Sequence, residues 1–185
     1  MTSRKNRSRF ALLGLLATKP MSGYELKKTI GESIGFFWQE GFGQIYPTLR
    51  ELLKEEWVEM TLVAQDGRPD KKVYTITPKG RASLSHWLHQ PPVDYPMRIE
   101  LLLKIFFGSF DTDGALDEHV ENELLKAEGS LKVFTVIREN LRTCADPKAA
   151  TYSDITLDYG IRLAEMNIAW CKATLTTLGE LGKEK

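Results

Sequence analysis

Several side-chain groups in this 185-residue chain have types and spacings that could do chemistry. His86 and His89 stand three residues apart, which would put two imidazoles on one helix face, as a metal site requires. No nearby Cys or carboxylate pattern completes the ligand set, so they read as surface or junction residues. Asp111-Thr112-Asp113-Gly114 opens like a calcium loop, but its glycine comes too early and the later ligands are missing. Helix capping accounts for that run better. The sequence has neither a phosphate-binding glycine loop nor a nucleophile elbow. Cys144 and Cys171 are too few for a disulfide framework. No catalytic residue, metal or cofactor is expected, and the chain reads as a non-enzyme.

The remaining chemistry is that of hydrogen bonding and positive charge. Arg50 and Lys54 fall on one side of a helical stretch with Gln44 near its start, and Arg68, Lys71 and Lys72 cluster in a turn-rich stretch that follows it. Arg can grip guanine through two hydrogen bonds and Gln can do the same for adenine, whereas scattered cations suit phosphates. Arg4, Lys5, Arg7 and Arg9 add a basic N-terminal arm. The formal net charge is zero, yet residues 1–90 carry 14 Lys and Arg against 9 Asp and Glu, and the rest carry 11 against 16. A basic first half and an acidic second half suggest that the first faces a polyanion. Solvated surface charge is the competing reading for any single lysine.

The elements that must position these groups can be read from periodicity. Residues 9–17 are apolar on most sides and predict a buried helix, stopped by Lys19-Pro20. Ser22, with Glu25 three residues on, is a capping-box start for a second helix that runs to about Gly31 or Gly35. A third helix is expected over roughly 44–55, with Ile45, Leu49, Leu52 and Leu53 facing the core and Arg50 and Lys54 facing away. Residues 57–63 and 73–77 have strand character and enclose a charged turn over 65–72. Thr77-Pro78 caps a fourth helix, and Pro91-Pro92 and Pro96 mark a boundary. Helix, helix, helix, strand, basic turn, strand is the order of a winged helix.

Beyond Pro96 all is helical. After a short apolar helix over 97–107, Leu116, Val120, Leu124, Ala127, Leu131, Phe134, Ile137 and Leu141 form a sustained seam. The last helix, after Asp146-Pro147, carries two seams on opposite faces: Ile155, Tyr159, Leu163, Met166, Trp170 and Ala173, and Leu157, Ile161, Ala164, Ile168, Cys171, Leu175 and Leu178. A helix apolar on both faces must be covered on both; a second copy of the chain is the economical cover, and the chain's own winged helix is the competing one. Which seam meets the partner is open, and a charge at Ile168 or Leu175 is expected to break the dimer. The fold class expected is therefore mainly α: a winged helix over 1–92 with a two-stranded wing, then a long-helix dimerisation domain over 93–185. No apolar stretch is long enough to span a bilayer and no signal-peptide cleavage pattern follows the basic N-terminus, which places the chain in the cytoplasm.

Ser22-Gly23-Tyr24-Glu25-Leu26, Ile45-Tyr46-Pro47-Thr48-Leu49-Arg50-Glu51-Leu52 and Tyr74-Thr75-Ile76-Thr77-Pro78-Lys79-Gly80 together resemble the PadR family of bacterial transcriptional regulators. The resemblance is sharp over about residues 9–90; beyond that the long helical region looks like the subgroup with an extended arm, the virulence-activator branch. It implies a homodimer on an inverted-repeat operator, usually repressing and sometimes activating. It also brings Tyr46 to the double-stranded DNA face beside Gln44 and Arg50, and matches Asp66-Gly67-Arg68-Pro69 to the family's wing tip. Since many family members respond to flat aromatic compounds, a small aromatic effector is implied. Trp170 is then the candidate contact among Trp38, Trp57, Trp87 and Trp170, with core packing as the alternative. A winged helix that binds proteins and not DNA is the other functional class.

Overall fold

A computed structural model describes residues 7–38, 42–65, 68–93, 97–111 and 113–181. Arg4 and Lys5 of the expected basic arm, and Asp66 and Gly67 of the wing tip, lie outside the described residues. The chain divides into two compact units, residues 1–94 and 95–185. The first is a winged helix and the second a long helical hairpin, so the chain is mainly α.

The first unit runs α1 (Ser8–Thr18), β1 (Met21–Ser22), α2 (Gly23–Glu32), α3 (Phe42–Lys54), β2 (Val58–Gln65), β3 (Arg68–Ile76) and α4 (Pro78–Leu88). Leu12, Leu13 and Leu16 of α1, Leu26 and Ile30 of α2, and Ile45, Leu49 and Leu52 of α3 are buried together against Met21, Val58, Tyr74 and Ile76 of the sheet. Burying several such side chains, at about 1.5–3 kcal/mol each, is the main term holding three short helices on a small sheet. The sheet is antiparallel, ordered β1-β3-β2. Its register pairs Val58 with Ile76, Met60 with Tyr74, Leu62 with Lys72 and Val63 with Lys71. Both wing strands are longer than the sequence predicts, because the charged run 68–72 pairs as strand instead of turning. β1 was not foreseen; a two-residue strand pairing Met21 with Tyr74 and Ser22 with Val73 is too short to carry a pattern.

Two local devices set the angles between helices. The N–H of Trp57 donates to the carbonyl of Leu52 (2.9 Å) and that of Glu56 to Leu53 (3.0 Å), closing α3 in a Schellman motif. Glu56 takes the left-handed position with φ 60, where glycine is usual. Thr77 caps α4 by accepting from the Gly80 N–H (3.1 Å) and donates its own hydroxyl to the Glu56 carbonyl (2.7 Å). A Cβ on Gly80 would run into the Trp57 carbonyl oxygen, so the start of α4 sits directly on the α3–β2 turn. Arg9, expected in the basic arm, is instead built into this unit. Its guanidinium pairs with Glu55 at 2.6 Å and lies 4.3 Å from the Trp57 ring centre, with the side chain 12% exposed.

The second unit comprises α5 (Glu100–Phe106), a 3-10 turn at Gly108–Phe110, α6 (Ala115–Leu141) and α7 (Pro147–Leu181). The expected capping of α6 is done by Asp111, whose carboxylate accepts from the N–H groups of Leu116 (3.0 Å) and Asp113 (3.2 Å). Those backbone donors, Leu116 first, hold its carboxyl below the usual carboxylate range. Asp146 caps α7 by accepting from Lys148 and Ala149, ahead of Pro147 in the first turn. The α6 seam is buried or half-buried throughout, and on α7 the seam through Leu157, Ala164 and Cys171 is the buried one. Arg138 ties the hairpin by pairing with Asp154 (2.8 Å) and Asp158 (3.1 Å). Ile168 and Leu175 are half-buried members of that intrachain seam. They stand on the α7 face that also carries buried Leu157, Ala164 and Cys171. The opposite seam, Ile155, Tyr159, Leu163 and Met166, is exposed.

Candidate nucleic-acid interface

The site begins at the first turn of α2. Ser22 accepts from the Glu25 N–H (3.3 Å), and Glu25 accepts in return from the Ser22 N–H (2.8 Å), a complete capping box. The same Glu25 carboxylate takes Lys71 of β3 at 2.8 Å. The hydrogen bond from Lys71 is the largest of the effects that lower the Glu25 carboxyl to about 2, with the Ser22 backbone and hydroxyl next. One residue thus fixes the helix end and clamps the wing to it. Lys71, expected as a DNA contact, is held there as a strut.

On the other side of the sheet the neighbours differ. Along β3 the side chains alternate, so Lys72 shares the face of Tyr74 and Ile76 while Lys71 shares that of Val73. Tyr74 is buried, and burial is the main cause lifting its hydroxyl above the ordinary tyrosine value; Tyr46 adds to the lift and Arg50 opposes it. Tyr74 therefore lies within electrostatic reach of both α3 residues. Tyr46 covers Gly23, where a Cβ would meet the phenol ring at 2.6 Å, so glycine makes room for that ring at the start of α2. Even so Tyr46 is 57% exposed.

Gln44, Arg50 and Lys54 are all exposed on α3, Arg50 and Lys54 on the side away from buried Ile45, Leu49 and Leu52 and Gln44 in the first turn. Lys72 is exposed opposite Leu62, past the end of the buried part of the sheet. Arg68 stands in register with Gln65 at the tip end of the hairpin. Tyr46, Arg50 and Lys72 are thus exposed, buried Tyr74 lies within electrostatic reach of Tyr46 and Arg50, and Lys71 is paired with Glu25. Tyr24, in the first turn of α2 next to Gly23, is 69% exposed. Trp170 is half-buried on α7, in line with the exposed Leu163 and Met166. Among the described residues no cluster of three or more His, Cys, Asp or Glu could hold a metal, and no helix is long and apolar enough to cross a membrane.

This arrangement has close relatives. Residues 12–86 match the PadR-like transcriptional regulator family, and residues 97–179 match the C-terminal region of the virulence activator alpha family. A probable transcriptional regulator of Mycobacterium tuberculosis is 35% identical, over 92% of this chain and 96% of its own. The chain belongs to the PadR-like family. PadR-like regulators with solved structures share its architecture. The PadR-like regulator BC1756 of Bacillus cereus superposes with a TM-score of 0.79 at 27% identity, covering 93% of this chain and 98% of its own. Bacillus subtilis PadR, described as a negative transcriptional regulator, is 27% identical over 92% of this chain and 96% of its own. Its complex with operator DNA superposes with a TM-score of 0.77, over 92% of this chain and 98% of that one. The PadR-like chain is accordingly a transcriptional regulator and not an enzyme.

Proposed function

We propose that this PadR-like protein is a cytoplasmic homodimeric repressor that reads an inverted-repeat operator and is released by a small planar aromatic molecule. The observation that carries the reading is the exposed polar face of α3, Gln44, Arg50 and Lys54, flanked by Tyr46 on one side and by Lys72 on the wing. α3 enters the major groove, with Arg50 and Gln44 at base edges; Lys54, Tyr46, Lys72 and Arg68 meet phosphates or the flanking groove. Lys71 acts through Glu25 to hold the wing. The exposed α7 seam pairs with the same seam of a second copy, which presents two α3 helices to two half-sites. Operator binding by the 27%-identical Bacillus subtilis PadR supports the first part, and its description as a negative regulator supports repression.

The test is fluorescence anisotropy of the full-length protein on DNA from just upstream of its own gene, beside a scrambled duplex and a salt series. Selective binding that weakens steeply with salt is expected, because each phosphate contact releases counterions. No selectivity there, and none after selection from random duplexes, would overturn the DNA-reading role and favour a winged helix that binds protein.

A further inference from the structure

Gly23 is the first residue of α2, and its backbone is held on both sides. Ser22 before it pairs with Val73 in the sheet and caps the helix; Glu25 after it closes the capping box and takes Lys71. A Cβ on Gly23 would meet Tyr46 of α3 before anything else: Cε1 at 2.6 Å, Cζ at 2.9 Å and the hydroxyl oxygen at 3.2 Å. The obstacle is the tip of an exposed side chain and not backbone. At Gly80, by contrast, it is the Trp57 carbonyl oxygen, which cannot move aside. No left-handed backbone calls for glycine at the start of α2, since Gly114 is the only glycine with positive φ among the described residues. In a helix glycine is less favourable than alanine, so what Gly23 supplies is room for the ring.

We infer that Gly23 is a positioning residue for operator binding: its missing side chain leaves the recess that holds the Tyr46 ring at the start of α2, where a DNA phosphate reaches the hydroxyl. The inference rests on the reading of α3 as the DNA-contacting helix and adds what sets the place of one of its side chains. Tyr46 stays exposed while its ring tip lies on Gly23, so the ring is located without being buried. A side chain located in advance enters a contact without giving up the rotamer freedom that an unsupported tyrosine would lose. Tyr74 confirms the neighbourhood: burial first and Tyr46 second hold its hydroxyl above the ordinary tyrosine value, which puts the two phenols near each other. A methyl group added to Gly23 takes the ring's place. Because the sheet and the cap pin the α2 backbone, the ring yields by turning to another rotamer. A substitution that should favour α2 as a helix therefore weakens DNA binding through a residue of another helix.

The test compares Gly23→Ala, Tyr46→Ala, the double variant and the control Gly31→Ala, all in the full-length protein. Gly31 lies in the same helix with nothing within 4 Å of an added Cβ. Without DNA, the ring signals of isotope-labelled tyrosine are read by NMR, that of Tyr46 being the one missing in Tyr46→Ala. Gly23→Ala is expected to melt no lower than the native protein and to move the Tyr46 signal; Gly31→Ala should leave it in place. On the operator duplex, read by anisotropy, Gly23→Ala should weaken affinity about tenfold or more, the loss of one hydrogen bond to a charged group. The salt slope should stay as it is, because a neutral hydroxyl displaces no counterion. Tyr46→Ala should lose a similar factor, and adding Gly23→Ala to it should cost nothing further, since the ring it strikes is gone. An unmoved Tyr46 signal, unchanged operator affinity in Gly23→Ala, the same loss in Gly31→Ala, an additive double variant, or a Gly23→Ala protein that no longer folds would each overturn the assignment. A native protein that binds no duplex would overturn the DNA-reading role and this one with it. The ring signals, read without DNA, tell that failure from a failure of the recess.

Discussion

Arg50 is exposed on the solvent side of α3 while Leu49 beside it is fully buried, so its side chain can be removed without disturbing the core. Arg50→Ala should therefore leave the melting temperature unchanged. It should cost about 1–3 kcal/mol of specific binding, with little loss on random DNA. Anisotropy on matched and scrambled duplexes checks this, and equal loss on both would remove Arg50 from base reading. The adjacent wing lysines separate two roles that the sequence treats alike. Lys72→Ala should weaken specific and random duplexes nearly equally and lower the salt slope by about one phosphate contact. Lys71→Ala should act through the wing instead, lowering stability by about 1 kcal/mol or less, because the Lys71–Glu25 pair is 32% and 44% exposed. Identical behaviour of the two variants in melting and in salt slope would mean that the strand alternation does not divide their roles.

At the scale of elements, the capping box and the wing clamp meet in one carboxylate, which gives a pH signature. The Glu25 carboxyl is lowered from 4.5 to about 2. Its contribution is thus complete above the unfolded value and is lost as pH falls from about 4.5 towards 2. Glu25→Gln keeps the shape but drops the charge. At neutral pH it should destabilise the winged helix by about 1 kcal/mol, the part-exposed carboxylate being screened by solvent. Chemical denaturation of both proteins should show that difference shrinking below pH 4.5; a constant gap down to pH 2.5 would mean that the charge contributes nothing. The same elements show what could be read in advance. α2 and α3 were legible because a capping box and a three-to-four apolar spacing are local. The Thr77-Pro78 start of α4 was legible for the same reason. β1, the extension of β3 through Arg68–Lys72 and the pinning of Arg9 under Trp57 were not, because each is fixed by a partner distant in sequence. The Glu56 left-handed turn was hidden too, since glutamate gives no hint of positive φ.

For the whole molecule, the two α7 seams are equivalent in sequence, and only packing separates them. One lies against α6 and the other is left open through Ile155, Tyr159, Leu163 and Met166. A dimer built on the open seam would join two copies of the acidic half of the chain, leaving the DNA contacts to the two basic halves. Leu163→Glu and Met166→Glu place a charge on a surface already exposed in the protomer, so each hairpin should melt as the native protein does. Sedimentation should nevertheless report half the native mass. Ile168→Glu puts its charge against α6 and should unfold the hairpin instead, which circular dichroism distinguishes from clean dissociation. Losing the partner turns one bivalent contact into two independent ones, so affinity for the inverted repeat should fall by about 10²–10⁴ while a single half-site is bound as before. A Leu163→Glu protein that still sediments as a dimer would move the partner interface off this seam. The apolar side of α6 that carries Leu125, Val133 and Val136, also exposed in the protomer, would then be the surface to charge next.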